Sequence, residues 1–196
     1  YVGDNGGMLF CFNLNTMELV WAQDIHDDLN ATPVFEWGED KQGYLYLGTS
    51  MEYANGTSYL YKINATTGEI VWQYTYNDII YDYDVSGGVL SSPVLGKAGT
   101  SLEGMVIFAV AKTHGYTGGT LVALNTTTGE VVWERKMDNY AWSSPTAIYD
   151  KMGTGYMIFA DSAGIVYLLN DKGETLSYVG LGSVIESSPV VFNNMF

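Results

Sequence analysis

Hydrophobic and polar residues alternate along this chain in short runs, and the runs are separated by clusters of Gly, Asn, Asp, Ser and Thr. Such runs, rich in Val, Ile, Tyr, Phe and Trp and bounded by turn residues, predict β-strands. A hairpin phrase recurs: 60–72 reads LYKINATTGEIVW and 121–133 reads LVALNTTTGEVVW. Residues 9–21 (LFCFNLNTMELVW) give an earlier copy with Met17 at the turn glycine. Residues 166–174 (VYLLNDKGE) give a later one, one residue shorter, with Ser177 at the tryptophan position and Tyr178 beside it. Asn and Gly supply the backbone a tight connection needs, so each copy is read as a β-hairpin. A further strand precedes each hairpin, in the runs at 43–48, 105–110 and 156–160, with Tyr1, Val2 and Gly3 as a shortened first copy.

All four prolines fall in one repeated phrase: Ala31-Thr32-Pro33-Val34, Ser91-Ser92-Pro93-Val94, Ser143-Ser144-Pro145-Thr146 and Ser187-Ser188-Pro189-Val190. Proline cannot donate to a ladder and belongs at the start of a strand or on an edge. The phrase therefore opens one more strand per unit. With the proline strand named A and the next three B, C and D, the order is BCD, ABCD, ABCD, ABCD and a last A near 187–192. Four-stranded antiparallel units recurring at about 40–50 residues predict an all-β propeller, here about four blades. The repeat units are placed at about 1–35, 36–95, 96–147 and 148–196, within a single segment 1–196. Pro33, Pro93, Pro145 and Pro189, with Trp21, Trp72 and Trp133, are the expected structural anchors. Each tryptophan is expected to lie over the neighbouring blade.

Composition narrows the function classes. Twenty-two acidic against eight basic residues give a net charge of −14, which repels a phosphate backbone, so nucleic acid is not an expected partner. No apolar stretch approaches the ~20 residues of a membrane helix, so no membrane insertion is expected. Cys11 is the single cysteine, which excludes an internal disulfide and is read as a small core residue.

At Ala123-Leu124-Asn125-Thr126-Thr127-Thr128-Gly129-Glu130-Val131-Val132-Trp133 the chain resembles the pyrroloquinoline-quinone-type propeller repeat, with its A-x-D-x-x-T-G-x-x-x-W phrase, Asn125 standing at the usual Asp. The resemblance implies a seven- or eight-bladed ring, to which four blades would contribute as part of a longer chain or as one half of a homodimer; a closed four-bladed ring is the alternative. The family includes quinone-dependent dehydrogenases, a non-enzymatic outer-membrane assembly protein, and extracellular sensor or adhesion modules. Its enzymes carry vicinal cysteines over the quinone and polar ligands for calcium. With one cysteine and with Arg135 as the only arginine, pyrroloquinoline quinone is not expected here, and no cofactor is expected.

In a propeller the B–C and D–A connections share a face, and function concentrates on loops. Two B–C connections are enlarged, 50–57 with Glu52, Tyr53 and Asn55, and 113–119 with His114 and Tyr116. The D–A connections add Asp82, Tyr83 and Asp84, then Tyr140 and Trp142. Rings beside carboxylates and amides suit a protein, peptide or glycan ligand. Asp82 and Asp84 are also candidate calcium ligands. No catalytic residue is assigned. The expected function is a non-catalytic, extracytoplasmic binding or scaffold module. A dehydrogenase fragment and a structural spacer in a large surface protein are the alternatives.

Overall fold

In the computed structural model the described residues are 1–51, 56–80 and 86–192, and they contain strands and turns but no helix. The first sheet is β1 (Val2–Gly3), β2 (Met8–Phe12) and β3 (Leu19–Asp24), in that order. The second is β4 (Val34–Trp37), β5 (Gly43–Gly48), β6 (Ser58–Asn64) and β7 (Ile70–Tyr76). In the third, β8 (Gly88–Val89) and β9 (Val94–Leu95) both pair with β10 (Met105–Ala111), which continues to β11 (Gly119–Asn125) and β12 (Val131–Met137). The fourth is β13 (Thr146–Tyr149), β14 (Gly155–Ala160), β15 (Ile165–Asn170) and β16 (Thr175–Gly180). Every pairing is antiparallel and, apart from β8 with β10, joins chain neighbours, the blade order expected of a propeller.

Strand A departs from the expected single run in two places. In the third sheet it is broken into β8 and β9, because Val89 faces Val110 and Val94 faces Ile107, leaving the Ser91-Ser92-Pro93 phrase bulged out of the ladder. Proline has no N–H to give, so the ladder resumes only after it. The last A phrase forms no strand: 187–191 is unpaired and only Phe192 makes a single bridge. The second, third and fourth sheets begin with the post-proline strand and so hold the A strand that precedes their B in the chain, whereas the first sheet holds B, C and D alone.

The C–D turns share one construction. Asn13, Asn64, Asn125 and Asn170 each accept two backbone N–H groups of their own turn on Oδ1. The residue closing the turn is left-handed, Gly68, Gly129 and Gly173 with φ of 79°, 74° and 76°, and Met17 at 56°. A β-bulge follows in every sheet, between Cys11 and Phe12, Lys62 and Ile63, Ala123 and Leu124, and Leu168 and Leu169.

The cores lie between sheets. Leu9, Ile25 and Leu29 meet Leu45, Tyr61 and Ile63; Tyr46 and Leu60 meet Val106, Phe108, Val122 and Leu124; Ile107, Ala109 and Ala123 meet Met157 and Phe159. Ile158, Ala160 and Val166, on the other side of the fourth sheet, are capped by Ile185 and Val191 of the tail. Each of the three hairpin tryptophans reaches the next sheet. The indole N–H of Trp21 donates to the Ala65 carbonyl at 3.1 Å, that of Trp72 to Thr126 at 3.1 Å, and that of Trp133 to Asp171 at 3.0 Å. Ser177, at the fourth such position, faces Leu168, and Tyr178 is exposed against Tyr167.

Candidate binding face

The B–C and D–A connections emerge together because both leave the same ends of antiparallel strands. The short B–C turns are closed by aspartates: Asp4 accepts the N–H groups of Gly6 and Met8, and Asp161 those of Ala163 and Ile165. Asp161 also accepts the Tyr167 hydroxyl, whose pKa is raised, first by burial and then by that carboxylate.

The long loops are laced to one another through backbone hydrogen bonds. Ser50 N–H donates to the Asp28 carbonyl, Ile79 N–H to Gly56, and Met51 N–H to Gly87. Ile80 N–H donates to the Lys112 carbonyl, linking the D–A loop of the second sheet to the B–C loop of the third. Tyr140 N–H donates to Thr117, and Ser162 N–H to Tyr140, linking the third sheet to the fourth. The described parts of these loops are thus hydrogen-bonded from one sheet to the next.

Of the expected face residues, Glu52, Tyr53, Asn55, Asp82, Tyr83 and Asp84 lie outside the described residues. His114 is partly buried, its Nδ1 3.0 Å from the Thr113 hydroxyl, which is also 2.7 Å from that of Thr120. Tyr116 projects with 66% of its surface exposed. The rings of Tyr140 and Trp142 meet edge to face at 5.6 Å, and the Lys112 ammonium lies 5.8 Å from the Tyr140 ring. The structure therefore brings Tyr140 and Trp142 into contact with each other and joins their loop to the one bearing His114 and Tyr116. Among the described residues, no group of three His, Cys, Asp or Glu is placed to hold a metal ion.

Buried charge on this face escaped the sequence reading. Asp27, Asp28 and Lys112 are all buried. Asp28 Oδ2 accepts from Asn30 Nδ2 at 2.8 Å and from the Ser50 hydroxyl at 2.9 Å, while Oδ1 is buried without a hydrogen bond from the described residues. Nothing in the local pattern marks Asp27 and Asp28, since an acidic pair in a loop reads as a solvated turn.

These features define a class: a β-propeller segment whose blades are pinned by indoles and whose described loop residues are hydrogen-bonded from blade to blade. The family model described as "Outer membrane protein assembly factor BamB", of the pyrroloquinoline-quinone type, matches residues 56–178, over half of the sequence. The chain belongs to that family. No curated protein matches it in sequence. Among solved structures it is similar to quinohemoprotein alcohol dehydrogenase ADHIIG of Pseudomonas putida HK5, with a TM-score of 0.67 and 16% identity over 92% of this chain and 33% of that one. Quinohemoprotein alcohol dehydrogenase of Comamonas testosteroni gives 0.66 and 16% over the same shares. BBS1N, solved in complex with ARL6DN, gives 0.58 and 15% over 93% of this chain and 50% of that one. At these identities the likeness is one of fold, and the chain spans about a third of the length of the two dehydrogenases.

Proposed function

We propose that this chain is a non-catalytic binding or scaffold module, working outside the cytoplasm, whose loop face engages a protein, peptide or glycan. The observation that carries the reading is the lacing of loops across sheets, from Ile80 to Lys112 and from Ser162 to Tyr140, with Tyr140 to Thr117 tying the two loops of the third sheet together. A surface held by main-chain bonds loses little freedom on association, which favours recognition by rings such as Tyr116, Tyr140 and Trp142. BBS1N, of similar fold, was solved in complex with ARL6DN, in keeping with this use of the fold. The location rests on the family, whose model is described by an outer-membrane assembly factor.

The dehydrogenase alternative fits the residues poorly. A quinone bearing three carboxylates needs clustered cations, yet the Arg135 guanidinium donates to the Gly173 carbonyl at 2.8 Å and lies against the Tyr167 ring. Cys11 sits alone in β2, away from the loops. The exposed apolar residues Tyr178, Val184, Val190 and Phe192 support a larger ring, completed by further blades of a longer chain or by a second copy.

The test is a capture experiment from cell-envelope extract using the unaltered chain, a Tyr116→Ala/Trp142→Ala variant, and a Met152→Ser control on the opposite face. A retained component lost only with the first variant is the expected result. Equal retention by all three would leave the spacer reading. An absorbance change with dye-linked alcohol oxidation on adding pyrroloquinoline quinone and calcium would replace the proposal by the dehydrogenase.

A further inference from the structure

The opposite face, where A–B and C–D turns emerge, carries a cleft of about 500 Å³ between the second and third sheets. This lies within the ~300–1,000 Å³ range of small-molecule sites. One wall is the A–B hairpin of the second sheet with Glu36, Trp37, Glu39 and Asp40; the floor is Tyr44 and Lys62. The far wall is built from small residues of the third sheet, Gly96, Ala98, Gly104 and Thr126, with Glu103 at its edge.

The repeat supplies an internal control. The cross-strand pair Tyr46–Lys62 occupies the place that Ile107–Ala123 and Ile158–Leu168 hold in the next two sheets, and the residue opposite each tryptophan is Cys11, Lys62 or Ala123. The scaffold therefore works with apolar residues here, and the second sheet alone spends a lysine. Lys62 is only 8% exposed. Its pKa is lowered, mainly by burial, with Glu36 and Asp40 opposing the shift.

Its hydrogen bonding is incomplete. The ammonium has three N–H donors and the protein supplies one acceptor, the Thr126 carbonyl at 2.8 Å, with the Tyr44 ring 4.0 Å away. That carbonyl also takes the Trp72 indole at 3.1 Å and lies 3.4 Å from the Tyr46 hydroxyl. Lys62 forms no ion pair with any described residue, because the nearby carboxylates are engaged elsewhere. Glu36 accepts the Tyr46 hydroxyl at 2.6 Å and Asp40 the Tyr44 hydroxyl at 2.5 Å. Trp37, at the mouth, is 72% exposed and touches Phe35 edge to face at 5.1 Å.

We propose that this cleft binds a neutral saccharide, with a sugar face on the Trp37 indole and vicinal hydroxyls bridging the Lys62 ammonium and the Glu36 and Asp40 carboxylates. Charge selects the class. A cationic ligand offers no acceptor to the unspent Lys62 donors, and an anionic one is repelled by Glu36, Glu39, Asp40 and Glu103. A hydroxyl both accepts and donates, so it satisfies the unspent ammonium donors and the carboxylate lone pairs together. An apolar ring face on indole completes the match. The site is separate from the loop face and stands whether or not that face binds a partner.

The test titrates the full chain with cellobiose, maltose and N,N′-diacetylchitobiose at millimolar concentration, following tryptophan fluorescence and heat. Expected is saturable binding of at least one disaccharide, weakened about tenfold or more in both Trp37→Ala and Lys62→Met, a loss of about 1.4 kcal/mol. Trp37 is exposed, so its variant keeps the fold; an unchanged circular dichroism spectrum and thermal midpoint check both. No binding of any of the three overturns the proposal. Binding that neither variant weakens overturns it too, since the sugar would then sit elsewhere. Tighter binding of spermidine or of glucose 6-phosphate than of every disaccharide replaces it with a charged ligand.

Discussion

The Trp72 indole donates to the Thr126 carbonyl at 3.1 Å and lies against Gly129, so one side chain of the second sheet clasps the C–D turn of the third. A Cβ added at Gly129 would stand 2.9 Å from the ring, and the residue's φ of 74° already disfavours a side chain. Trp72→Ala is expected to cost about 3–5 kcal/mol, and Trp72→Phe, which keeps most of the packing, rather less. Gly129→Ala should cost about 1–2 kcal/mol for backbone alone, with the ring clash added. Because the clash needs the indole, the double variant Trp72→Ala/Gly129→Ala should be less damaged than the sum, by about 0.5–3 kcal/mol. Urea unfolding of the four proteins measures this, and strict additivity would count against the clasp.

The proline phrases carry a second connection between sheets. Thr32 N–H donates to the Ser92 hydroxyl at 3.1 Å, Ser92 N–H to Ser144 at 3.0 Å, and Ser144 N–H to Ser188 at 2.9 Å. The residue before each of the first three prolines thus passes a hydrogen bond to its counterpart in the next unit. Ser144→Ala should destabilise by about 1 kcal/mol and speed amide exchange at Ser92. Ser92→Ala should instead speed exchange at Thr32. Hydrogen exchange read by nuclear magnetic resonance distinguishes them, and identical patterns would exclude a directional chain.

This relay shows where sequence reading stops. Repetition of Ser-Ser-Pro is visible in one dimension, and so are the hairpins, the tryptophan positions and the four-strand unit, because each depends on local spacing. The acceptor of the Ser92 N–H lies 52 residues away, and no local pattern reveals it. The same holds for the cleft: Lys62 looks like one more polar residue of a strand until Tyr44, Tyr46 and Thr126 close around it. Loop enlargement marks the opposite face only as a candidate, and the buried Asp28 and Lys112 there depend on contacts between separate loops.

Met17 is the exposed exception among the turn-closing residues, with a φ of 56° where its counterparts are glycine. A side chain in the left-handed region costs about 1–2 kcal/mol, while glycine loosens the unfolded chain. Met17→Gly should therefore stabilise the protein by about 0.5–1 kcal/mol, net of that loosening. Gly68→Met should do the reverse and more, because a Cβ there would lie 2.8 Å from the Trp21 ring. Thermal midpoints of the two variants give opposite signs if this account holds.

Two buried tyrosines and one half-buried one set the response to alkali. Burial raises the pKa of Tyr46, Tyr61 and Tyr76, helped by Glu36 at Tyr46 and by Glu134, which accepts the Tyr76 hydroxyl. A raised folded-state value means that above about pH 10 the unfolded chain has lost these protons while the folded chain keeps them. Stability is then fully present below pH 10 and falls as pH rises further, by up to about 1.4 kcal/mol per pH unit for each such tyrosine. Lys62 acts oppositely, its lowered value adding stability as pH climbs towards its ordinary ~10.4. The midpoint of urea unfolding should thus hold or rise slightly up to about pH 10 and then drop steeply. Tyr46→Phe and Tyr61→Phe should each make the drop shallower, and Lys62→Met should remove the rise before it. An unchanged slope in both tyrosine variants would place the alkaline sensitivity elsewhere.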